Sequence, residues 1–216
     1  MSSRTLRRAA EAWPHLLPVL DQALAAPGAE AGFAAITACA VTLLGDKQAH
    51  RKPGGLKEGE RQYQVAAALV FTPDRTQHQF LAQQNFPPEQ WHMRIPVDIG
   101  HPGRAAREQK PMLLSNTDEH GDFKQILKTS RMGSAMYAPM FWQGQMFGML
   151  ICAAQARNTL RPVDMEVMQV FARLGALVWG AHKGPENIAE IVARAGLNGA
   201  VLDTTRPAID ARGKLG

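Results

Sequence analysis

Cysteine is scarce in this chain: only Cys39 and Cys152, far apart in 216 residues. That leaves no pair or cluster at metal-ligand spacing, and two buried thiols of a reducing compartment are the expected state. Long apolar runs are missing too. No stretch reaches the roughly 18 residues that a membrane-spanning helix needs. The opening M-S-S-R-T-L-R-R-A-A-E carries charge where a secretory leader carries an apolar segment. A cytoplasmic setting without membrane contact is therefore expected. No internal repeat is found. Basic residues are in excess, with net charge +5 and a pI near 9.5, but they are scattered. Arg4, Arg7 and Arg8 form one group and His50, Arg51, Lys52 and Lys57 another. With no basic stripe interleaved with aromatics, they read as solvated surface, and nucleic acid is not an expected partner. Gly54-Gly55 lacks the strand before and helix after it that a phosphate loop requires. No nucleophile stands with a base and an orienting acid, and no histidine pair recurs at helical i, i+4 spacing. The chain is accordingly read as a non-enzyme, with no catalytic and no metal-binding residue assigned.

What is present is most concentrated between Ser134 and Ala154. Two apolar runs, S-A-M-Y-A-P-M-F-W and Q-M-F-G-M-L-I-C-A-A, flank Gln143-Gly144, which is the grammar of a β-hairpin. Both faces of each run are apolar, so these strands should be central in a sheet covered on both sides. Helices are expected on one face and a lid or pocket on the other. Pro139 cannot donate to a ladder and marks a bulge, an edge or a break. A bulge there would exchange the faces, so the residue that points to the pocket side is either Tyr137 or Met136.

Upstream, Leu6, Ala10, Trp13, Leu17, Leu20 and Leu24 recur at alternating spacings of four and three. Pro14 and Pro18 interrupt them, which predicts a break near Trp13-Pro14 and a second helix from Pro18. This region either packs on its own domain or forms a dimer contact. The spacing predicts a helix over residues 29–44, closed by Gly45. A polar, glycine-rich loop runs to Glu60. Strands are predicted over 62–71, 76–84, 94–99 and 112–114, and short helices over 104–109 and 123–128. A long helix opens at Pro162 and runs to about Ala181. Its N-cap position holds Arg161 where Ser or Asp would be favoured, although Asp164 suits the first turn. Val163, Val167, Val170, Phe171, Leu174, Leu177 and Val178 make one face of it, and Met165, Met168, Ala172, Ala176 and Trp179 cover much of the rest. A helix apolar nearly all round needs cover on more than one side, by the N-terminal helix or a second copy of the chain. A small helix over 186–195 follows, and 199–216 read as a poorly ordered tail.

This order of elements, together with I-P-V-D-I-G-H-P-G-R-A-A-R-E-Q-K-P (Ile95 to Pro111), S-N-T-D-E-H (Ser115 to His120), the hairpin and P-V-D-M-E-V-M-Q-V-F-A (Pro162 to Ala172), resembles the GAF domain, a small-molecule-sensing relative of PAS domains. The resemblance covers roughly residues 20–182, with an N-terminal helical extension over 1–19 and a C-terminal helix and tail over 183–216. It implies an α+β fold: a central six-stranded antiparallel sheet, terminal helices on one face, and short helices and loops on the other. It implies a ligand pocket walled by Phe80, His101, Asn116, Phe123, Tyr137 and Met140. It also implies a sensory or regulatory role, exercised through a homodimer of the terminal helices or through an output protein. No ligand or cofactor is named by it.

Particular activities of that family are not matched. Its free methionine sulfoxide reductases use several reactive cysteines near the pocket, and this chain has two cysteines, one on a helix and one in the apolar hairpin. Its bilin-binding members use a cysteine followed by histidine, which is absent here. Its cyclic-nucleotide-binding members carry N-K-F-D-E, where this chain has N-T-D-E-H at Asn116 to His120. No kinase, cyclase or phosphodiesterase signature follows residue 182, so output is expected from another protein or from the interface itself. Two alternatives remain. One is a structural module without ligand. The other is a transcription regulator, because Ile188 to Leu202 resembles the start of a helix-turn-helix, although Arg206 and Pro207 leave little with which to read a groove.

Overall fold

A computed structural model describes residues 3–121 and 132–196, with side chains from Ala10 onward. Six strands form one sheet: β1 (Gln64–Phe71), β2 (Gln77–Gln84), β3 (Arg94–Pro96), β4 (Met112–Leu114), β5 (Ser134–Trp142) and β6 (Gln145–Ala154). The spatial order is β3-β2-β1-β6-β5-β4, and every neighbouring pair is antiparallel. The β5–β6 hairpin and β1 lie at the centre, as the two-sided apolar pattern requires. Gln143 and Gly144 close the hairpin with φ of 48° and 80°. That sign at both turn residues matches the right-handed twist of the strands it joins. Pro139 lies beyond Tyr137, the last β5 residue that faces β4 across the ladder. The β5–β6 register slips one step later, between Met140 and Phe141.

Helices α1 (Ser3–Leu24), α2 (Ala29–Leu43), α4 (Pro162–Ala181) and α5 (Gly184–Gly196) share one core with one face of the sheet. Strands supply the small residues Ala66, Ala68 and Ala138, and the helices fill the space with Phe33, Phe171 and Trp179, all buried. Burying each such ring contributes about 1.5–3 kcal/mol. The short helix α3 (Gly100–Glu108) and the loops cover the opposite face.

Four local expectations are corrected. First, α1 is one helix through Pro14 and Pro18. The prolines are one turn apart and exposed together with Ala10, so the carbonyls that lose a donor lie on a side open to water. Second, α1 packs with Ala12, Val19 and Ala23. The larger residues of the anticipated stripe, Trp13, Leu17 and Leu24, are 66%, 59% and 41% exposed. Close approach explains the choice: a Cβ on Gly32 of α2 would lie 2.8 Å from the Ala23 carbonyl oxygen and 2.6 Å from Val178 Cγ1. Third, α3 begins at Gly100, not Arg104, because Pro102 stands third in the helix, within the first turn whose N–H groups have no intrahelical partner, and so loses no intrahelical bond. Gly103 lets that turn sit on Asp98, whose backbone a Cβ would meet at 2.3 Å. Fourth, α4 is well capped. Asp164, fully buried, accepts the Arg161 N–H on Oδ2 and the Gly45 N–H on Oδ1, each at 3.0 Å. One carboxylate thus closes the start of α4 and pins the end of α2 to it. The helix predicted over 123–128 lies outside the described residues.

Candidate functional site

The loop-covered face of the sheet is built by strand alternation. Val65, Ala67, Leu69 and Phe71 of β1, Phe80 of β2, Ala135 and Tyr137 of β5, and Met149, Ile151 and Ala153 of β6 share a single cluster with Ile95, Ala105, Leu114 and Met132. Tyr137 therefore faces the loops, while Met136 belongs to the helix-covered core. Burial pushes the Tyr137 phenol well above its ordinary range, so it is a neutral donor and acceptor.

His101, in the first turn of α3, is 3% exposed. Its ring lies 6.5 Å from that of Tyr137, centre to centre, and 17° from parallel. His120, after the loop from Ser115, stands nearly perpendicular to His101 with centroids 6.4 Å apart. Three rings from α3, β5 and the β4–β5 connection thus meet on one patch. His78 is on the same face but farther along β2, stacked on Phe71 at 4.9 Å. It is fully buried and neither ring nitrogen has a well-formed hydrogen bond. Burial pulls its pKa down to about 4; the Val97 backbone opposes that shift and the Arg75 charge adds to it.

Among the residues expected to wall a pocket, Phe80, His101 and Tyr137 share this face. Met140 does not. It is fully buried in the helix-side core, where a Cβ on Gly175 of α4 would come within 2.9 Å of its sulfur. Tyr137 and Met140 are three apart on one strand, so period-two alternation puts them on opposite faces. Asn116 serves the loop itself: its side chain accepts the Asp118 N–H at 3.1 Å and donates to Glu119 at 3.0 Å. Phe123 lies outside the described residues.

Sequence reasoning missed the group that holds the loops over this face. Arg157, with its side chain 2% exposed, pairs through Nη1 with Glu60 and through Nε with Asp118 at 3.0 Å. Lys57 reaches the same Asp118 carboxylate at 2.8 Å. Among the described residues no group of three or more His, Cys, Asp or Glu is placed to hold a metal ion, and no helix is long and apolar enough to cross a membrane.

The antiparallel order, the helix layer on one face and α3 with the loops on the other define the class of PAS-like α+β domains. Within that class the GAF domain family model matches residues 56–179, more than half of the chain, and the chain belongs to this family. Solved structures agree on the fold. A GAF domain of a phosphoenolpyruvate-protein phosphotransferase from Coxiella burnetii superposes with TM-score 0.63 at 16% identity, over 84% of this chain and 97% of that one. The corresponding domain from Acinetobacter gives 0.62 at 11%, over 85% and 97%. A free methionine-R-sulfoxide reductase from Neisseria meningitidis, solved in complex with its substrate, gives 0.63 at 16%, over 86% and 95%. A search of curated proteins returns no match.

Proposed function

We propose that this chain is a non-enzymatic sensory or regulatory GAF domain that takes a small molecule on the loop-covered face and acts through a homodimer or a partner protein. The placement of α4 carries this reading. Its inner side packs on β5, the strand that bears Tyr137. Its outer side leaves Val170 and Leu177 37% and 51% exposed. Helix α1 packs against α4 and exposes Trp13, Leu17 and Leu24. Large apolar side chains exposed on two adjoining helices are the kind of surface a second subunit covers. One helix pair thus packs on the strand that bears Tyr137 and also carries the outlet, so a ligand on the opposite side of β5 that favours one packing of β5 on α4 would bias the interface.

The thiols support the non-enzymatic half. Cys152 is buried in the helix-side core, away from Tyr137, and burial pushes its pKa up to about 11. Cys39 packs against the same core from α2 and is also raised by burial. Neither is placed or activated for attack on a molecule at the opposite face. The reductase likeness from Neisseria is thus a likeness of fold.

Two measurements test the proposal. Light scattering should give a dimer mass for the full chain and the 23.6 kDa monomer for Leu177→Glu. A wild-type monomer at tens of micromolar would remove the homodimer. A metabolite panel read by thermal shift should contain at least one stabilising compound. If none shifts the melting temperature, the domain is a structural module instead.

A further inference from the structure

Helix α5 ends beside a groove of about 760 Å³. It lies between the start of α2, the second half of β2 and the loop after β2, with Arg194 of α5 on its wall. Strand β3 pairs with β2 only at Gln77, His78 and Gln79, so residues 81–84 have no strand on their outer side among the described residues. Ala31, Ala34, Leu81, Phe86 and Trp91 give the groove an apolar lining. Trp91 is 48% exposed. Its indole N–H already donates to the Phe86 carbonyl at 3.0 Å, so the part still to be covered is apolar ring.

The amide side chains along the groove are committed to the fold. Gln83 donates to the Gln90 carbonyl at 2.8 Å and accepts the His92 N–H at 2.6 Å. Gln84 donates to Thr37 Oγ1 at 3.3 Å and Asn85 to the Gln64 carbonyl at 2.8 Å. Of the titratable groups, Glu30 faces His92 at 3.6 Å and Arg194 reaches Glu190 on its own helix at 3.5 Å. A polar small molecule would lose hydration here for few new partners, whereas an apolar chain segment would bury surface.

The chain delivers such a segment at this point. Arg94 of β3 donates to the Val192 carbonyl at 3.1 Å, and a Cβ on Gly196 would lie 2.2 Å from the same guanidinium. The last turn of α5 is thus held against the sheet edge. Leu197 follows Arg194 by three Cα steps, at most about 11 Å. The sequence then reads L-N-G-A-V-L-D over residues 197–203. Leu197, Ala200, Val201 and Leu202 are apolar, and Gly199 tolerates a reversal of the chain. The first charge after them is Asp203, opposite in sign to Arg194 on the groove wall. Six extended residues span about 20 Å, more than the roughly 13 Å of residues 81–84. A short tether also supplies an effective concentration in the millimolar range, so weak contacts suffice.

We propose that residues 197–202, beyond the described part of the chain, fold back into this groove of their own subunit and cover Trp91.

NMR of the full chain tests this, with the Trp91 indole resonance assigned by its loss in Trp91→Phe. The wild type should give nuclear Overhauser contacts from the Trp91 ring to the Val201 and Leu202 methyls. Isotope-filtered spectra of mixed labelled and unlabelled chains should place those contacts within one chain. Val201→Asp combined with Leu202→Asp should abolish them and shift the Trp91 indole, while the Trp142 and Trp179 indoles stay in place. Circular dichroism confirms that this variant is folded. Absence of contacts between Trp91 and residues 197–202 in the wild type, or an unmoved Trp91 indole in the folded variant, overturns the proposal. Contacts found only between chains overturn it in favour of the same segment of a second copy.

Discussion

The two faces of the sheet are built on opposite plans. Towards the helices, strands present small or pliable residues, Ala66, Ala68, Ala138 and Met140, and the bulk comes from Phe33, Phe171 and Trp179 above them. Approach is close enough that a Cβ on Gly180 would lie 2.1 Å from the Trp142 ring. Towards the loops the bulk sits on the strands, as Leu69, Phe71, Phe80 and Tyr137, and polar rings are enclosed with it. The first plan maximises contact between rigid elements and leaves little that titrates. The second keeps imidazoles and a phenol in apolar surroundings at a cost in desolvation. Cohesion is concentrated on one face and chemistry on the other.

The largest expected effect tests the cohesive face. Phe171 is fully buried between α4 and the sheet. Phe171→Ala should cost about 3–5 kcal/mol, because packed neighbours cannot collapse into the space. Urea denaturation measures it, with the midpoint falling and the slope constant. A loss under about 1 kcal/mol would mean that the helix layer is not closely packed, and the contrast between the faces would fail.

His78 gives a comparable effect that belongs to the other face and appears only in acid. Its pKa is about 4 when folded, against an ordinary 6.5 for a histidine in water. The unfolded chain therefore takes up a proton below about pH 6.5 that the folded protein refuses, so folding stability is fully present above that pH and declines as pH falls toward 4. The loss by pH 4 should be about 3 kcal/mol. His78→Phe should flatten this acid limb whatever it does to stability at neutral pH. An unchanged slope between pH 6.5 and 4 in the variant would show that His78 protonates freely in the folded state.

Legibility followed the same division. Period-two alternation and the Gln143-Gly144 turn made the hairpin readable, and the apolar faces of α2 and α4 did the same for the helix layer. Local rules misjudged α1, because a proline penalty written for an isolated helix ignores which side faces water. They also misjudged the α4 cap, where the capping carboxylate is Asp164 inside the helix. At the site, Tyr137 and His101 were named from the resemblance, but strand parity could have removed Met140 at once. Arg157 was not legible. It is one charged residue in a loop, and its partners Glu60 and Asp118 are 97 and 39 residues away in the chain. No periodicity links positions so far apart.

The smallest expected effect concerns how the loops are held over the second face. Asp118 is gripped by two cations of unlike standing. Arg157 approaches from within, 2% exposed and shared with Glu60, whereas the Lys57 side chain is 55% exposed. An exposed pair gains little in water, loses side-chain freedom and is screened by salt. Lys57→Met should therefore cost about 0.5 kcal/mol or less, and the difference from wild type should fade at roughly 0.5 M salt. A cost above about 1 kcal/mol that persists in salt would place the grip on the loops at the surface instead of at buried Arg157. The loop-covered face would then be fastened by solvent-exposed charge, and the stability of its loops would become sensitive to ionic strength.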